Sequence, residues 1–271
     1  MPRPFGRGIF SLCFSVRCVI IGYIRAMRPK GKGRGTMKIV GIQKLTLLDY
    51  PGKVACTVFL DGCNFRCPFC HNAELLRCDV QSIMTTGELL AFLGKRRGIL
   101  EGVCITGGEP TIHPELPELL RAVKALGYPV KLDTNGYRPK SLRALLAEGI
   151  VDYVAMDLKN SPAGYAAATG IPEPDLSRVG ESITLLLESG VDFELRTTVV
   201  KPIHTAKSIQ NMGQWLQSVT NCKPVPRLFV QPFVDRDTVP VGGLSTPTAE
   251  ELELFREILS GCAESVALRG T

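Results

Sequence analysis

The stretch Val54-Ala-Cys-Thr-Val-Phe-Leu-Asp61-Gly-Cys63-Asn-Phe-Arg-Cys67-Pro-Phe-Cys70 joins an almost continuous apolar run to a loop that holds three closely spaced cysteines. A short apolar run that ends at a polar loop is typical of a buried β-strand. Pro68 disfavours a helical backbone at Cys67, so the cysteines are expected on a wrapped loop rather than on one face of a helix. The segment therefore predicts a strand whose carboxyl end carries a set of thiols.

The same unit, an apolar run followed by an amphipathic segment, recurs along the chain. Six apolar runs are predicted to be strands: Val54–Asp61, Gly102–Thr106, Pro129–Thr134, Val151–Leu158, Phe193–Val200 and Arg227–Phe233. Six amphipathic segments are predicted to be helices: Thr86–Lys95, Glu115–Leu126, Pro139–Glu148, Asp175–Ser189, Thr205–Val219 and Thr248–Cys262. Strands that alternate with helices form a parallel sheet with helices on its outer face. Because a closed eight-unit barrel typically needs about 250 residues, six units favour an α/β fold of the partial (β/α)6 TIM-like barrel type.

The first 36 residues differ in composition from the rest of the chain. They hold eight basic side chains and no acidic one, so the basic excess of the whole chain resides in this segment. The rest of the chain has slightly more acidic than basic residues, so its charge does not indicate nucleic-acid binding. The apolar part of the segment is interrupted by Arg17 and is too short to span a membrane. We expect residues 1–36 to be a disordered or non-native extension, with translation starting at Met1 or Met37, and residues 37–271 to form the core domain.

The cysteines indicate a metal site in a reducing compartment. Of the ten, three fall within eight residues and others lie in apolar segments, which favours a cytoplasmic protein over a disulfide framework. Iron–sulfur cubanes are usually held by four thiolates. No fourth cysteine follows Cys63, Cys67 and Cys70 at a matching spacing, so a 4Fe–4S cluster there would keep one iron open for another ligand. Zinc would need a fourth ligand, and His71 directly follows Cys70, closer than zinc ligands are usually spaced. A structural zinc site and unligated core cysteines remain as alternatives.

Here the chain resembles a known family. The C-x3-C-x-aromatic-C loop, with Phe69 as the aromatic residue, is similar to the signature of the radical S-adenosylmethionine (SAM) superfamily. The stretches Leu45–Gly52, Phe59–Cys63 and Cys70–Asn72 resemble glycyl-radical-enzyme activating enzymes, in particular the activating protein of anaerobic ribonucleoside-triphosphate reductase. The similarity runs from about residue 39 to beyond residue 233. It implies a radical SAM core that holds one 4Fe–4S cluster on Cys63, Cys67 and Cys70 and binds SAM.

The resemblance also implies a reaction and partners. The expected protein is an oxidoreductase that cleaves SAM at the reduced cluster and uses the 5′-deoxyadenosyl radical to install a glycyl radical on a partner enzyme. Its implied partners are a glycyl radical enzyme, foremost anaerobic ribonucleotide reductase, and a flavodoxin or ferredoxin-type electron donor. The alternatives are a pyruvate formate-lyase activating enzyme, a radical SAM enzyme acting on a small molecule, such as one like 7-carboxy-7-deazaguanine synthase, and a non-catalytic metal-binding protein.

Three polar motifs follow or end the predicted strands: Gly107-Gly108-Glu109, Asp133-Thr134-Asn135 and Asp157-Leu158-Lys159. A fourth polar residue, Arg196, lies within the fifth predicted strand. The carboxyl ends of parallel strands build the site in such sheets, so these motifs should meet the cysteines at one edge. A tight turn or simple ion pairs would also account for the motifs. The glycines would let the backbone approach a ligand closely. Two neighbouring carboxylates repel unless a positive charge lies between them.

By resemblance, these motifs hold SAM. The Gly-Gly-Glu turn would bind the methionine ammonium group, and the guanidinium fork of Arg196 would bind its carboxylate. Asp133, Thr134 and Asp157 would help to hold a monovalent cation, and Lys159 would neutralise nearby negative charge. The expected cofactor-binding residues are Phe69, His71, Gly107, Gly108, Glu109, Asp133, Thr134, Asp157, Lys159 and Arg196.

Several other residues are assigned lesser roles. Cys56 and Cys104 alternate with apolar neighbours and are expected in the core. His113 is expected to be structural, and His204 to line the mouth of the site without a catalytic role. Asp49 is expected near a lateral entrance for the partner's glycine loop.

Overall fold

One eight-stranded sheet organises the part of the chain that the computed structural model describes, residues 37–76 and 79–270. Its strands are β1 Ile39–Thr46, β2 Ala55–Leu60, β3 Gly102–Gly107, β4 Val130–Thr134, β5 Tyr153–Asp157, β6 Asp192–Val199, β7 Val225–Pro232 and β8 Ala263–Leu268. The strands lie in sequence order across the sheet. Strands β2 to β8 run parallel, and β1 pairs antiparallel with β2. The expected extension at residues 1–36 lies outside the described residues.

Helices connect the parallel strands. Their bounds are α1 Thr86–Gly94, α2 Leu116–Ala125, α3 Pro139–Ala147, α4 Tyr165–Thr169, α5 Leu176–Ser189, α6 Ala206–Val219 and α7 Ala249–Leu259. Thr85, Thr205 and Thr248 begin three of them with capping boxes, in which the threonine hydroxyl accepts a backbone N–H from the residue three positions later. None of the helices described is long and apolar enough to cross a membrane.

The predicted partial barrel is confirmed and gains two strands. Each of β2 to β7 is followed by at least one helix, which gives the six expected units. The additional strands β1 and β8 form the two edges of the sheet and do not pair with each other, so the barrel stays open. Because β1 precedes the predicted strands, Arg196 lies on the sixth strand of the sheet, β6, rather than on the fifth.

The two faces of the sheet differ in chemistry. Val154 and Met156 belong to the large apolar core with the helices, whereas Ala155 between them belongs to a small cluster on the concave side. That concave side carries buried charge. Glu194 is fully buried and accepts hydrogen bonds from Tyr153 Oη at 2.7 Å and from the Arg269 guanidinium at 2.6 and 2.9 Å. The strands are buried on both faces, as predicted, but the interior of the barrel is polar.

The turn between β1 and β2 closes the amino-terminal end of the barrel. Tyr50 is 3% exposed and packs on Tyr153 with ring centroids 5.9 Å apart. Asp49 accepts a hydrogen bond of 2.7 Å from the Thr57 hydroxyl. Because Thr46 pairs with Ala55 at the start of β2, this turn lies at the opposite end of the sheet from the cysteine loop. The antiparallel direction of β1 thus carries Asp49 away from the cysteine loop. The expected position of Asp49 near a lateral entrance for the partner's glycine loop stays a prediction.

Candidate active site

The predicted site residues surround one cavity at the carboxyl edge of the sheet. The cavity has about 820 Å³ of empty space including its open mouth. All thirteen expected metal and cofactor residues line it: Cys63, Cys67, Cys70, Phe69, His71, Gly107, Gly108, Glu109, Asp133, Thr134, Asp157, Lys159 and Arg196. The topology thus brings together motifs that are spread over more than 130 positions of the chain.

The cysteine loop wraps one side of the cavity. Phe65, 1% exposed, anchors it through edge-on contacts to Tyr137 and Tyr165, with centroids 5.2 and 6.5 Å away. Within the loop, the Phe65 backbone N–H donates to Cys63 Sγ at 3.3 Å, and the Cys70 N–H donates to the Cys67 carbonyl at 3.2 Å. The loop conformation expected from Pro68 is confirmed.

The electrostatic surroundings of the thiols keep them protonated. Burial raises the pKa of all three cysteines, that of Cys63 to about 12. Lys159 acts in the opposite direction on each thiol, because its ammonium group favours the thiolate. A metal or cluster that binds here must therefore displace three thiol protons, so loading releases protons.

The two glycines serve the contact between neighbouring loops. The Gly108 N–H donates to the Leu60 carbonyl at 2.9 Å, and the Glu109 N–H donates to the Gly62 carbonyl at 2.8 Å. A Cβ atom at Gly108 would lie 1.7 Å from the Gly62 oxygen, and one at Gly107, where φ is +118°, would lie 2.2 Å from the Leu60 oxygen. Both glycines are thus required by the close approach to the backbone that leads into the cysteine loop, and their predicted approach to a ligand stays a prediction.

Glu109 is the hub of a buried hydrogen-bond network. It is 1% exposed, and its carboxylate accepts from the Thr134 hydroxyl at 2.7 Å, from the Asn135 N–H at 2.6 Å, and from both the N–H and the hydroxyl of Thr111. Burial raises the pKa of Glu109, against the hydrogen bonds that lower it. Thr134 ties the end of β4 to Glu109, and its expected role near a cation stays a prediction.

Arg196 lies between two carboxylates at the ends of β4 and β5. Its Nη1 atom is 3.2 Å from Asp133 Oδ2, and its Nε atom is 2.9 Å from Asp157 Oδ1. Lys131 pairs with Asp133, and Lys159 pairs with Asp157 at 3.1 Å. Three cations therefore face two carboxylates. These five residues are called the charged layer, and their charges sum to a net positive value. All of them except Lys131 line the cavity.

The cations decide the ionisation of both acids. Burial opposes the charge on Asp133, but Arg196 and Lys131 outweigh it and hold the pKa of Asp133 well below its usual range. The pKa of Asp157 is lowered in the same way, with Arg196 and Lys159 acting against burial. The positive charge that two adjacent carboxylates require is supplied by Arg196. A monovalent cation at this position stays a prediction, and the charge balance does not depend on it.

The aromatic residues of the loop attach it to the end of β7. Phe69 is 4% exposed and shares a small apolar cluster with Phe233. The His71 ring stacks on Phe233, with centroids 5.6 Å apart, and its Nε2 atom lies 2.7 Å from the Val234 carbonyl oxygen. These contacts fix the last part of the cysteine loop against the end of β7.

Comparison with known proteins identifies this arrangement. A sequence profile described as "Radical SAM superfamily" matches residues 57–216, more than half of the chain. This chain belongs to the radical SAM superfamily. It therefore carries a 4Fe–4S cluster and binds SAM, as the cysteine spacing predicts.

Relatives of similar length narrow the membership. A protein of Methanocaldococcus jannaschii, named as a candidate glycyl-radical enzyme activating enzyme, is 30% identical over 223 residues, 80% of this chain and 88% of that protein. The pyruvate formate-lyase-activating enzyme of Clostridium pasteurianum is 28% identical over 205 residues, 72% of this chain and 82% of that protein. Within the radical SAM superfamily, the chain groups with the glycyl-radical-enzyme activating enzymes.

A solved structure supports the fold. Streptococcus suis SuiB bound to S-adenosylmethionine superposes with a TM-score of 0.57 at 18% identity, covering 77% of this chain and 48% of SuiB. The chain thus spans about half the length of SuiB. The likeness confirms the radical SAM barrel and carries no further argument at this identity.

The donor set fits the cluster of a radical SAM protein. In the described ranges, no three His, Cys, Asp or Glu side chains converge on one point as the ligands of a single metal ion would. Cys63, Cys67 and Cys70 line a common cavity, and a cubane takes each thiolate at a separate iron. That these three residues hold the cluster, and that SAM occupies the adjoining space lined by Glu109 and Arg196, stays a prediction.

Sequence reasoning missed part of the lining and misplaced two residues. Phe65, Asn72, Thr106, Asn135 and Thr198 also line the cavity. Side chains two positions apart on a strand lie on the same face. Thr106 and Thr198 could therefore have been predicted from sequence, because they lie two positions after the inward residues Cys104 and Arg196.

Two of the residues with lesser roles need correction. Cys104 is buried but belongs to the polar interior, with its sulfur 3.8 Å from Lys131 Nζ. His204 is 1% exposed and bonds the Lys159 carbonyl at 2.8 Å, so it supports Lys159 from behind rather than lining the mouth. His113 bonds the Asp61 carbonyl at 2.8 Å, which fits a structural role. Cys56, as predicted, lies in the apolar core.

Proposed function

We propose that this radical SAM protein is an oxidoreductase that cleaves SAM reductively and installs a glycyl radical on anaerobic ribonucleoside-triphosphate reductase. The observation that carries the proposal is the placement of three thiols, Glu109 and Arg196 around one cavity, at the mouth of an open polar barrel. When bound, the reduced cluster supplies the electron that breaks the S–C5′ bond of SAM, and the 5′-deoxyadenosyl radical then takes the Cα hydrogen of the target glycine.

The side chains around the cavity bind and orient SAM. Arg196 offers a planar fork in a layer with net positive charge, which suits the methionine carboxylate. Glu109, held rigidly by its hydrogen bonds, offers carboxylate oxygens for the methionine ammonium group. The reaction assigned here needs no side chain as a general acid or base, and positioning and exclusion of water are the contributions left to the protein.

The open side of the barrel, between β1 and β8, is the proposed path for the partner's glycine loop. The amino-terminal end is closed by Tyr50, since a Cβ atom at Gly102 would lie 2.8 Å from the Tyr50 ring. Inside the barrel, Glu194 and Arg269 supply an acceptor and donors of the kind that an extended backbone needs when it leaves water. The Arg269 side chain is 33% exposed, so it is accessible from the open side. A role for Asp49 in holding the loop would be exercised from within the barrel.

The proposed identity of the partner rests on the segment that precedes β2, the first parallel strand. Leu45–Gly52 resembles the activating protein of anaerobic ribonucleoside-triphosphate reductase, which favours that partner. The similarity to the Clostridium pasteurianum enzyme makes pyruvate formate-lyase the second candidate. Between Cys70 and the start of β3 at Gly102, the described residues hold only one short turn of 3₁₀-helix and α1, which leaves no extra domain for a small-molecule substrate. A flavodoxin or ferredoxin-type protein is the proposed donor, because each turnover consumes one electron.

Electron paramagnetic resonance tests the proposal. The reconstituted protein is mixed anaerobically with SAM, dithionite and either candidate partner enzyme. We expect a glycyl radical signal on the reductase, and no signal when Cys67→Ala replaces the wild-type protein or when the target glycine is replaced by alanine. Cleavage of SAM without a glycyl radical on either partner would refute the activating function and leave the radical SAM chemistry intact.

A further inference from the structure

Asn135, the first residue after β4, holds its side-chain amide in a defined orientation. Its Oδ1 atom accepts the Tyr137 backbone N–H at 3.0 Å. The Nδ2 atom must therefore face the other way, where it lies 2.8 Å from Asn64 Oδ1 and 3.9 Å from Cys63 Sγ. An amide nitrogen carries two hydrogens, so it can serve both acceptors at once. The side chain thus presents a donor to the first cysteine of the cluster loop.

The backbone around Asn135 is tightly held. Asn135 is 6% exposed, and its N–H donates to Glu109 at 2.6 Å. The next residue, Gly136, donates to the Thr134 hydroxyl at 3.1 Å and accepts the Ser182 hydroxyl at 2.6 Å. At Gly136 φ is +71°, and a Cβ atom there would lie 2.1 Å from a carbon of Met156. The amide is therefore placed in advance, as an outer-shell group must be if it is to act on a ligand.

The three cysteines receive different donors. Backbone N–H groups of Phe65 and Asn72 lower the pKa of Cys63 and Cys70, respectively. Cys63 alone among the three is contacted in addition by a side-chain amide in the hydrogen bonds of the described residues. Hydrogen bonds to the sulfurs of an iron–sulfur cluster are one of the factors that set its reduction potential. They favour the reduced state, because that state carries more negative charge.

We propose that Asn135 donates an N–H···S hydrogen bond to the Cys63 thiolate and thereby raises the reduction potential of the 4Fe–4S cluster. Asn135 acts through Cys63 and is a positioning residue rather than a catalytic one. If the reduced state is stabilised by the net free energy of one hydrogen bond, the ratio of reduced to oxidised cluster changes about fivefold. At 59 mV per tenfold for one electron, this ratio is a shift of about 40 mV.

Two substitutions separate the hydrogen bond from the turn that it belongs to. Asn135→Ser keeps an oxygen that can accept the Tyr137 N–H, as serine does in such turns, but its side chain is too short to reach Cys63. Asn135→Asp keeps the shape of the side chain and replaces the donor with an oxygen. Asn160→Ser is the matched control, because Asn160 is also fully buried but bonds the Ile203 carbonyl and the Ser161 N–H.

The measurement is the midpoint potential of the reconstituted cluster, followed by electron paramagnetic resonance in a redox titration without SAM or partner enzyme. Proteins are compared at equal iron and sulfide content. We expect Asn135→Ser to lower the reduced-to-oxidised ratio about fivefold at a fixed applied potential, Asn135→Asp to lower it further, and Asn160→Ser to leave it unchanged. A wild-type potential in Asn135→Ser would overturn the proposal. If that variant does not load a cluster, a wild-type potential in Asn135→Asp would overturn it.

Discussion

Replacement of Arg196 tests the charged layer at the wall of the SAM cavity. The Arg196 side chain is 11% exposed and bonds Asp133 and Asp157 through different nitrogens, at 3.2 and 2.9 Å. Arg196→Met leaves the Asp133 and Asp157 carboxylates, whose side chains are 13% and 31% exposed, with only Lys131 and Lys159. Loss of one partner from a fully buried ion pair costs about 3–5 kcal/mol, which is the upper limit here because Asp157 is partly exposed to solvent. Arg196→Lys keeps the charge but loses the fork, so we expect it to cost about 1.5–3 kcal/mol, the value of one charge-assisted hydrogen bond.

The assay is urea denaturation of the cluster-free protein, which gives the free energy of unfolding. The matched control is Arg143→Met, since Arg143 pairs with Glu181 on the surface, where both side chains are more than 40% exposed and such a pair contributes about 1 kcal/mol or less. Equilibrium dialysis of the reconstituted proteins should also show weaker SAM binding in both Arg196 variants. Equal stability of Arg196→Met and Arg143→Met would refute the view that Arg196 balances two buried acids.

Three further outcomes are expected. Because the pKa of Asp133 is lowered in the folded state, its contribution to stability is full above the unfolded pKa of about 3.9 and is lost as the pH falls. The unfolding free energy of the wild type should therefore fall more steeply below about pH 4 than that of Asp133→Asn. Equal slopes would contradict the lowered pKa of Asp133. Gly108→Ala should cost about 1–3 kcal/mol or more in thermal unfolding because its Cβ would collide with backbone, whereas Gly94→Ala, with open space around it, should not destabilise. Arg269→Lys, which weakens the bidentate pair with Glu194, should slow glycyl radical formation on the partner and leave uncoupled SAM cleavage at the wild-type rate; equal effects on both rates would argue against a contact with the partner.

The fold was largely predictable because its units are local. Each parallel strand with its helix leaves its own signature, such as the run Val54–Asp61 and the capping threonine Thr248. The edge strands were not predictable in the same way. In β1, Gly41, Gln43 and Lys44 interrupt the apolar pattern, and its antiparallel direction depends on pairing with β2 rather than on its own residues. That direction is what carries Asp49 to the far end of the barrel.

The membership of the site was also predictable, but the partners within it were not. Parallel strands bring their carboxyl ends to one edge, so motifs found separately in the sequence meet in space. Which groups pair there depends on distances between strands that no local pattern encodes. Arg196 thus bonds both Asp133 and Asp157, and Thr134 bonds Glu109. Asn135 was interpretable from sequence only as a turn residue, because its contact with Cys63 bridges 72 positions.

Cleavage of SAM by the reconstituted protein is the decisive observation for the assignment of Cys63, Cys67 and Cys70 to the cluster. With dithionite under anaerobic conditions, we expect the wild-type protein to form 5′-deoxyadenosine and methionine, and Cys67→Ala to form neither. Sustained 5′-deoxyadenosine formation by Cys67→Ala, or none by a wild-type protein that holds its full complement of iron and sulfide, would contradict the assignment.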